Sequence, residues 1–186
     1  MIGYLSGKIL NTTEKEIILD VHGVGYKICC PLPTILSCAH GKDKELFIHT
    51  RVREDAITLY GFETETDLET FEKLIDVSGI GPKSAVAMLS VHSPASIASA
   101  IENGDSQTLA HTPGIGKKSA EKIILELRGK LSHLQDTKGN ENTFEVRLAL
   151  EALGYSPREI NEVISKLNTK KKSTSDLIKE ALAQLK

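Results

Sequence analysis

The spacing of apolar residues changes along the chain, and each spacing predicts a different kind of element. Over residues 1–62 the period is two. "YKICC" places Tyr26, Ile28 and Cys30 on one face and Lys27 and Cys29 on the other. "LFIHTRVR" places Leu46, Ile48, Thr50 and Val52 on one face, and Phe47, His49, Arg51 and Arg53 on the opposite one. "ITLYGF" alternates again. Such alternation marks half-buried strands. Turn signals at Asn11–Thr12, His22–Gly23 and His40–Gly41 separate them. "PTILSCA" reads as a short helix between strands. Five or six short strands in about 60 residues suit a small closed barrel, which leaves no exposed edge.

From Glu63 the period becomes helical. Leu68, Phe71, Leu74 and Ile75 recur at one-turn and two-turn spacings. Ser93–Pro94 is a cap with proline at the first helical position, and Asn103–Gly104 is a stop. Helices are expected to about Leu131. Residues 132–143, "SHLQDTKGNENT", are polar and aperiodic and read as a flexible linker. Residues 144–186 return to helical spacing, with Ser156, Pro157 and Glu159 as a capping box. They predict three short helices, close to the lower size limit for a domain that folds alone.

The helical region contains a duplication. "LIDVSGIGPKSAVAMLS" aligns with "LAHTPGIGKKSAEKIIL" at a constant offset of 35 residues. Gly79, Ile80, Gly81, Lys83, Ser84 and Ala85 recur as Gly114, Ile115, Gly116, Lys118, Ser119 and Ala120. Glycine beside lysine and serine invites a nucleotide-binding reading, which spacing excludes. A P-loop ending at Gly116–Lys117 needs glycine at 111, which is His, and Ser or Thr at 118, which is Lys. A dinucleotide fingerprint needs a third glycine and a preceding strand; positions 84 and 119 are serine, and helices are predicted before both loops.

A helix, a tight turn and a second helix remain. The first glycine serves the sharp turn and the second lets a ligand approach the backbone. Ile80 and Ile115 point inward. The following helix offers its free N–H groups and positive end to a phosphate. Lys83, Lys117, Lys118 and Lys122 add charge, and Ser84 and Ser119 add donors. None of these groups reads a base edge, so the expected binding is independent of sequence.

Charge refines this picture. The chain has a formal net charge of −2, so nucleic-acid binding would need a local footprint. Acids (Glu63, Glu65, Asp67, Glu69, Glu72, Asp76) crowd before the first hairpin. Lys117, Lys118, Lys122, Arg128 and Lys130 gather after the second glycine pair. The three cysteines, Cys29, Cys30 and Cys38, form no C-x-x-C pair, and the six histidines are scattered. No metal or cofactor is therefore expected. No apolar run is long enough to span a membrane and the N-terminus has no signal-peptide pattern, so a reducing cytoplasmic setting is expected.

Four stretches in order carry a family resemblance: "MIGYLSGKI", "VREDAITLYGF", the paired "GIGPKSA" and "PGIGKKSAEKI", and "LEALGYSPREI". Together the chain resembles the RuvA family, Holliday-junction-recognition subunits of bacterial RuvAB branch-migration complexes. The resemblance implies a multidomain α+β protein. An OB-like β-barrel would occupy 1–62, an all-α tandem helix-hairpin-helix domain 63–131, a linker 132–143, and a UBA-like three-helix domain 144–186. It implies a fourfold tetramer, or two face to face, holding an open square-planar four-way junction. It also implies recruitment of the hexameric RuvB ATPase by the C-terminal domain, with RuvC resolvase as a further partner in recombination and DNA repair.

By the same resemblance, Glu54 and Asp55 match an acidic pin, with Arg53 beside it as a phosphate contact. Adjacent carboxylates on a strand would face opposite ways, so presenting both requires a turn. Leu150, Leu153, Tyr155 and Leu182 match an apolar patch for RuvB, although a bundle this small also needs leucines for its own core. The linker is short for the family, which narrows the range of the third domain.

Two other classes compete with a non-catalytic DNA-binding subunit. A helix-hairpin-helix nuclease would need a carboxylate cluster for Mg²⁺, and a base-excision glycosylase an aspartate soon after its hairpin, where only Asp136 offers itself. A pure protein scaffold would make no use of the lysines.

Overall fold

The computed structural model describes residues 1–132, 134, 146, 149–150, 153–155, 159–160, 163–164 and 174–184. The chain divides into two compact units, Met1–Ser132 and His133–Lys186.

The first unit begins with strands β1 (Tyr4–Thr12), β2 (Glu16–Val21) and β3 (Val24–Cys29), helix α1 (Leu32–Ser37), and strands β4 (Asp43–Val52) and β5 (Ile57–Phe62). The five strands close into a barrel in the order β1-β2-β3-β5-β4. All pairings are antiparallel except β3 with β5. This is the small closed barrel expected from the alternation, with the OB-like form that the resemblance implies. The inward stripe is as read: Ile28, Leu46 and Ile48 are buried, joined by Ile9, Ile17 and Leu19. "PTILSCA" does hold a helix, α1.

One expected turn is misplaced. Asn11 and Thr12 pair with Ile18 and Ile17, so β1 runs through them. The reason is a bulge at Leu10, where the register shifts between Ile9 and Asn11. His40 and Gly41 stitch it in place, through contacts to the Leu10 carbonyl (2.8 Å) and the Ile9 carbonyl (2.8 Å). The actual turn is held by the Thr13 hydroxyl, which accepts from the Glu16 N–H at 3.1 Å. His22 and Gly23 turn as expected, both at positive φ (54° and 87°).

Helices α2 (Glu65–Asp76), α3 (Pro82–Val91), α4 (Pro94–Asn103), α5 (Ser106–Ala110) and α6 (Lys117–Leu127) follow within the same compact unit. Aromatic rings join helix to barrel: Phe71 of α2 lies 4.8 Å from Phe62 and 5.2 Å from Tyr60, centroid to centroid. Phe62 and Phe71 are fully buried. Burying each contributes about 1.5–3 kcal/mol, which holds α2, the helix that leads into the first hairpin, on the barrel. Polar contacts reinforce the seam. Lys44 binds Ser37 and Glu63, His49 contacts Glu72 at 3.0 Å, and the Leu32 N–H donates to the Ser90 hydroxyl at 3.0 Å. Although burial opposes it, Lys44 and Ser37 hold the Glu63 carboxyl below its ordinary range.

In the second unit Val146, Leu150, Ile160, Val163, Leu177 and Ala181 form a buried core. Helix α7 spans Thr174–Gln184. Gly154 sits at φ 89°, and the Tyr155 N–H donates back to the Leu150 carbonyl at 3.2 Å. That is the bond of a glycine-terminated helix end. The expected capping box at Ser156–Pro157 and nearly all of the expected linker lie outside the described residues.

Candidate nucleic-acid interface

The two copies of the duplicated element fold alike. The first turns between α2 and α3, the second between α5 and α6. Gly79 and Gly114 adopt φ of 91° and 84°, where a side chain would be strained. Gly81 and Gly116 follow at φ −94°, ψ 169° and φ −86°, ψ 168°. The Ile80 N–H donates to the Val77 carbonyl at 2.9 Å, and Ile115 to Thr112 at 3.0 Å. Ala85 donates to Gly81 at 3.1 Å, and Ala120 to Gly116 at 2.9 Å. Ile80 and Ile115 are buried, pinning each turn to its helices.

The second glycine of each pair has no internal explanation. Its φ is available to any residue, and a Cβ built on Gly81 or Gly116 meets nothing within 4 Å. What the bare backbone leaves open is space for something outside the chain.

Helix starts point the same way. α2, α4 and α5 are closed by the side chains of Thr64, Ser93 and Asp105. α3 and α6 begin at Gly81 and Gly116 with no side-chain cap. Their first-turn N–H groups, less the one Pro82 lacks, can meet an anion, and the helix dipole favours one there. Lys83, Lys117 and Lys118 are exposed beside them, with no ion pair among the described residues. Ser84 and Ser119 are half-buried in the first turns. Lys122 is one turn on from Lys118 and faces Glu126 at 3.8 Å. Arg128 is spent otherwise: it donates to the Glu102 carbonyl at 3.1 Å, holding the end of α4.

Glu54 and Asp55 occupy the tip of the β4–β5 hairpin. The Arg53 N–H donates to the Ala56 carbonyl at 2.8 Å, closing the turn that presents both carboxylates. Residues 52–57 are all exposed. Sequence reasoning placed Val52 on the face of Leu46 and Ile48 and gave neither it nor Ile57 a role; the two pair directly and are 69% and 70% exposed. They continue the barrel's inward stripe past its mouth, where nothing among the described residues covers them.

Residues 1–61 match the family model described as RuvA N terminal domain, residues 71–130 the SAM-like Helix-hairpin-helix tandem, and residues 142–186 the RuvA, C-terminal domain. A protein of Lactobacillus johnsonii, named Holliday junction branch migration complex subunit RuvA, is 43% identical over all of this chain and 98% of its own length. The chain belongs to the RuvA family. RuvA proteins of the same name from Halalkalibacterium halodurans and Trichlorobacter lovleyi are 38% and 40% identical, each over 98% of this chain and 97% and 98% of their own lengths.

For a RuvA-family chain, the expected motor-binding patch divides. Leu150 is fully buried in the second unit's core, which corrects its assignment to a surface. Leu153, at the helix end beside Gly154, is 60% exposed. Tyr155 and Leu182 are partly buried against the core. Among the described residues no group of three or more His, Cys, Asp or Glu stands close enough to hold a metal ion. No single described helix is long and apolar enough to cross a membrane.

Proposed function

We propose that this chain is the non-catalytic, DNA-binding subunit of a branch-migration complex. It binds four-way junctions without reading sequence, holds them open and square-planar, and recruits a RuvB-type hexameric ATPase that hydrolyses the ATP. The observation that carries the reading is the pair of matched hairpins, each with a solvent-facing glycine of no internal use and an uncapped helix start flanked by lysine. Paired backbone N–H groups and cations suit two phosphates of a duplex arm.

The acidic tip supplies junction selectivity. Four copies around a fourfold axis would gather their Glu54 and Asp55 carboxylates at the crossover. Like charges repel by about 1 kcal/mol per pair at 4 Å in water, and by more where water is scarce. Such a tip disfavours continuous duplex and keeps strands apart. The uncovered Val52–Ile57 pair supports assembly, because a neighbouring copy would give that stripe the cover its own barrel lacks. Leu153, with Tyr155 and Leu182, would meet the motor. RuvC would act on the exposed face of the same junction.

Gel-shift titration of the full chain against a four-way junction and a linear duplex of equal length tests the reading. Tighter junction binding is expected; equal affinity overturns it. The same reactions with Mg²⁺ should leave every strand intact, and nicking or base release would favour an enzyme instead.

A further inference from the structure

The barrel carries cations that the two hairpins do not account for. On its outer face β3, β5 and β4 lie side by side, and their register aligns outward residues in rows. Cys29 pairs with Tyr60 and Tyr60 with His49, forming one row. One step toward the acidic tip, Arg51 pairs with Thr58. Lys27, two residues before Cys29 on the same face of β3, lies at that level too, because β3 and β5 run parallel. Arg53, closed against Ala56, forms the last row.

Rows are about 7 Å apart and β3 lies about 10 Å from β4. Three cations thus stand within reach of one another between the first hairpin and the pin. Lys27 is 67% exposed, Arg53 is exposed and Arg51 half-buried. The acids facing this strip are engaged: Glu16 by Cys29 (3.6 Å) and Lys27 (3.9 Å), Glu72 by His49 (3.0 Å).

Electrostatics links the strip to the hairpin. Burial and Glu16 push the Cys29 thiol up, while Lys27 and Lys83 pull it back. Burial and Cys29 push the Tyr60 hydroxyl up, while Arg51 and Arg53 pull it back. Lys83 and Lys27 thus both act on Cys29, and Arg51 and Arg53 both act on Tyr60, the residue paired with Cys29.

We propose that Lys27 and Arg51 form a phosphate track across the barrel, carrying one DNA strand from the first hairpin's Lys83 to Arg53 at the acidic tip. The ligand is the backbone of a nucleic acid, bound by charge and without base contacts. This rests on the hairpins being phosphate grips.

The test is the salt dependence of junction binding by the full chain. Each phosphate contact adds about 0.9 to the slope of log affinity against log salt. Lys27→Gln with Arg51→Gln should make that slope shallower by roughly 1.8 for each bound subunit, with Arg51→Lys restoring Arg51's share. Lys27→Gln alone, at an exposed position, should remove about 0.9 for each bound subunit and leave the melting temperature unchanged. An unchanged slope in both variants overturns the track. If the unsubstituted chain already fails to prefer a junction over duplex, the proposed function falls instead; if it prefers the junction while the variants keep its slope, only the track falls.

Discussion

Between Leu74 and His92, and again between Leu109 and Leu127, the chain makes the same turn with different side chains. The shared part is backbone: a left-handed glycine, a buried isoleucine, an open glycine and an uncapped helix start. The differences surround it. The first copy is entered from a helix of 12 residues, the second from one of 5. Pro82 is buried where Lys117 is exposed. Pro82 stiffens the start of α3 but gives up an N–H and a charge. The first hairpin is thus built more for rigidity and sits against the barrel through Leu32 and Ser90. The second offers more to an anion. A duplicated element can keep its geometry while dividing mounting from gripping.

The sharpest way to break this comparison is to separate the two glycines of one hairpin. Gly114→Ala puts a side chain at φ 84° and should cost about 1–2 kcal/mol of stability. Gly116→Ala is sterically free within the chain and should leave unfolding by urea within about 0.5 kcal/mol of the parent. It should nevertheless weaken junction binding by about ten- to a hundredfold, since a methyl that holds the phosphate off the backbone loses a charge-assisted hydrogen bond of about 1.5–3 kcal/mol. If Gly116→Ala binds as well as the parent, the open glycine is not where phosphate approaches.

The lysines rank the two grips. Lys118→Ala should weaken junction binding several-fold, and Lys83→Ala less, because Lys118 adds to an anion held closely by Lys117 and a full set of first-turn N–H groups, whereas α3 starts at Pro82 and holds its anion more weakly. Each substitution should lower the salt slope by about 0.9 for each bound subunit. Titration at two salt concentrations measures both effects. A larger loss at Lys83 would reverse the division of labour between the hairpins.

Most of this arrangement was legible in the sequence because it depends on local spacing. Period two placed Leu46 and Ile48 inside, and the repeat placed Ile80 and Ile115. What could not be read depends on contacts distant in sequence. The bulge at Leu10 is fixed by His40 and Gly41, about thirty residues away. Arg128 looked free for DNA but meets the Glu102 carbonyl 26 residues back. Leu150 and Leu153 are three apart and looked equivalent. Leu150 is in the buried core, while Leu153 lies in the turn beside Gly154 and faces solvent. The rows on the barrel's outer face need β3 beside β5, which the order of strands along the chain does not announce.

The smallest difference between the copies is also the cleanest. Among the described residues, two buried side-chain atoms lack a protein hydrogen-bond partner, His92 Nε2 and Thr112 Oγ1. At the offset of 35, each has an apolar counterpart in the other copy: Leu127 for His92 and Val77 for Thr112. Burial, with His111 nearby, holds the His92 imidazole below its ordinary range. The unfolded chain then takes up a proton first. Stability is intact above the unfolded value of about 6.5 and falls as pH drops below it. His92→Leu should flatten that acid-side fall in thermal melts from pH 7 to 5. Thr112→Val keeps the shape and removes an unpaired hydroxyl, which is worth about 1 kcal/mol. The expected result is a stabilised chain whose junction affinity is unchanged. If Thr112→Val instead costs binding at equal stability, that hydroxyl serves the hairpin's ligand, and the two copies differ in chemistry as well as in rigidity.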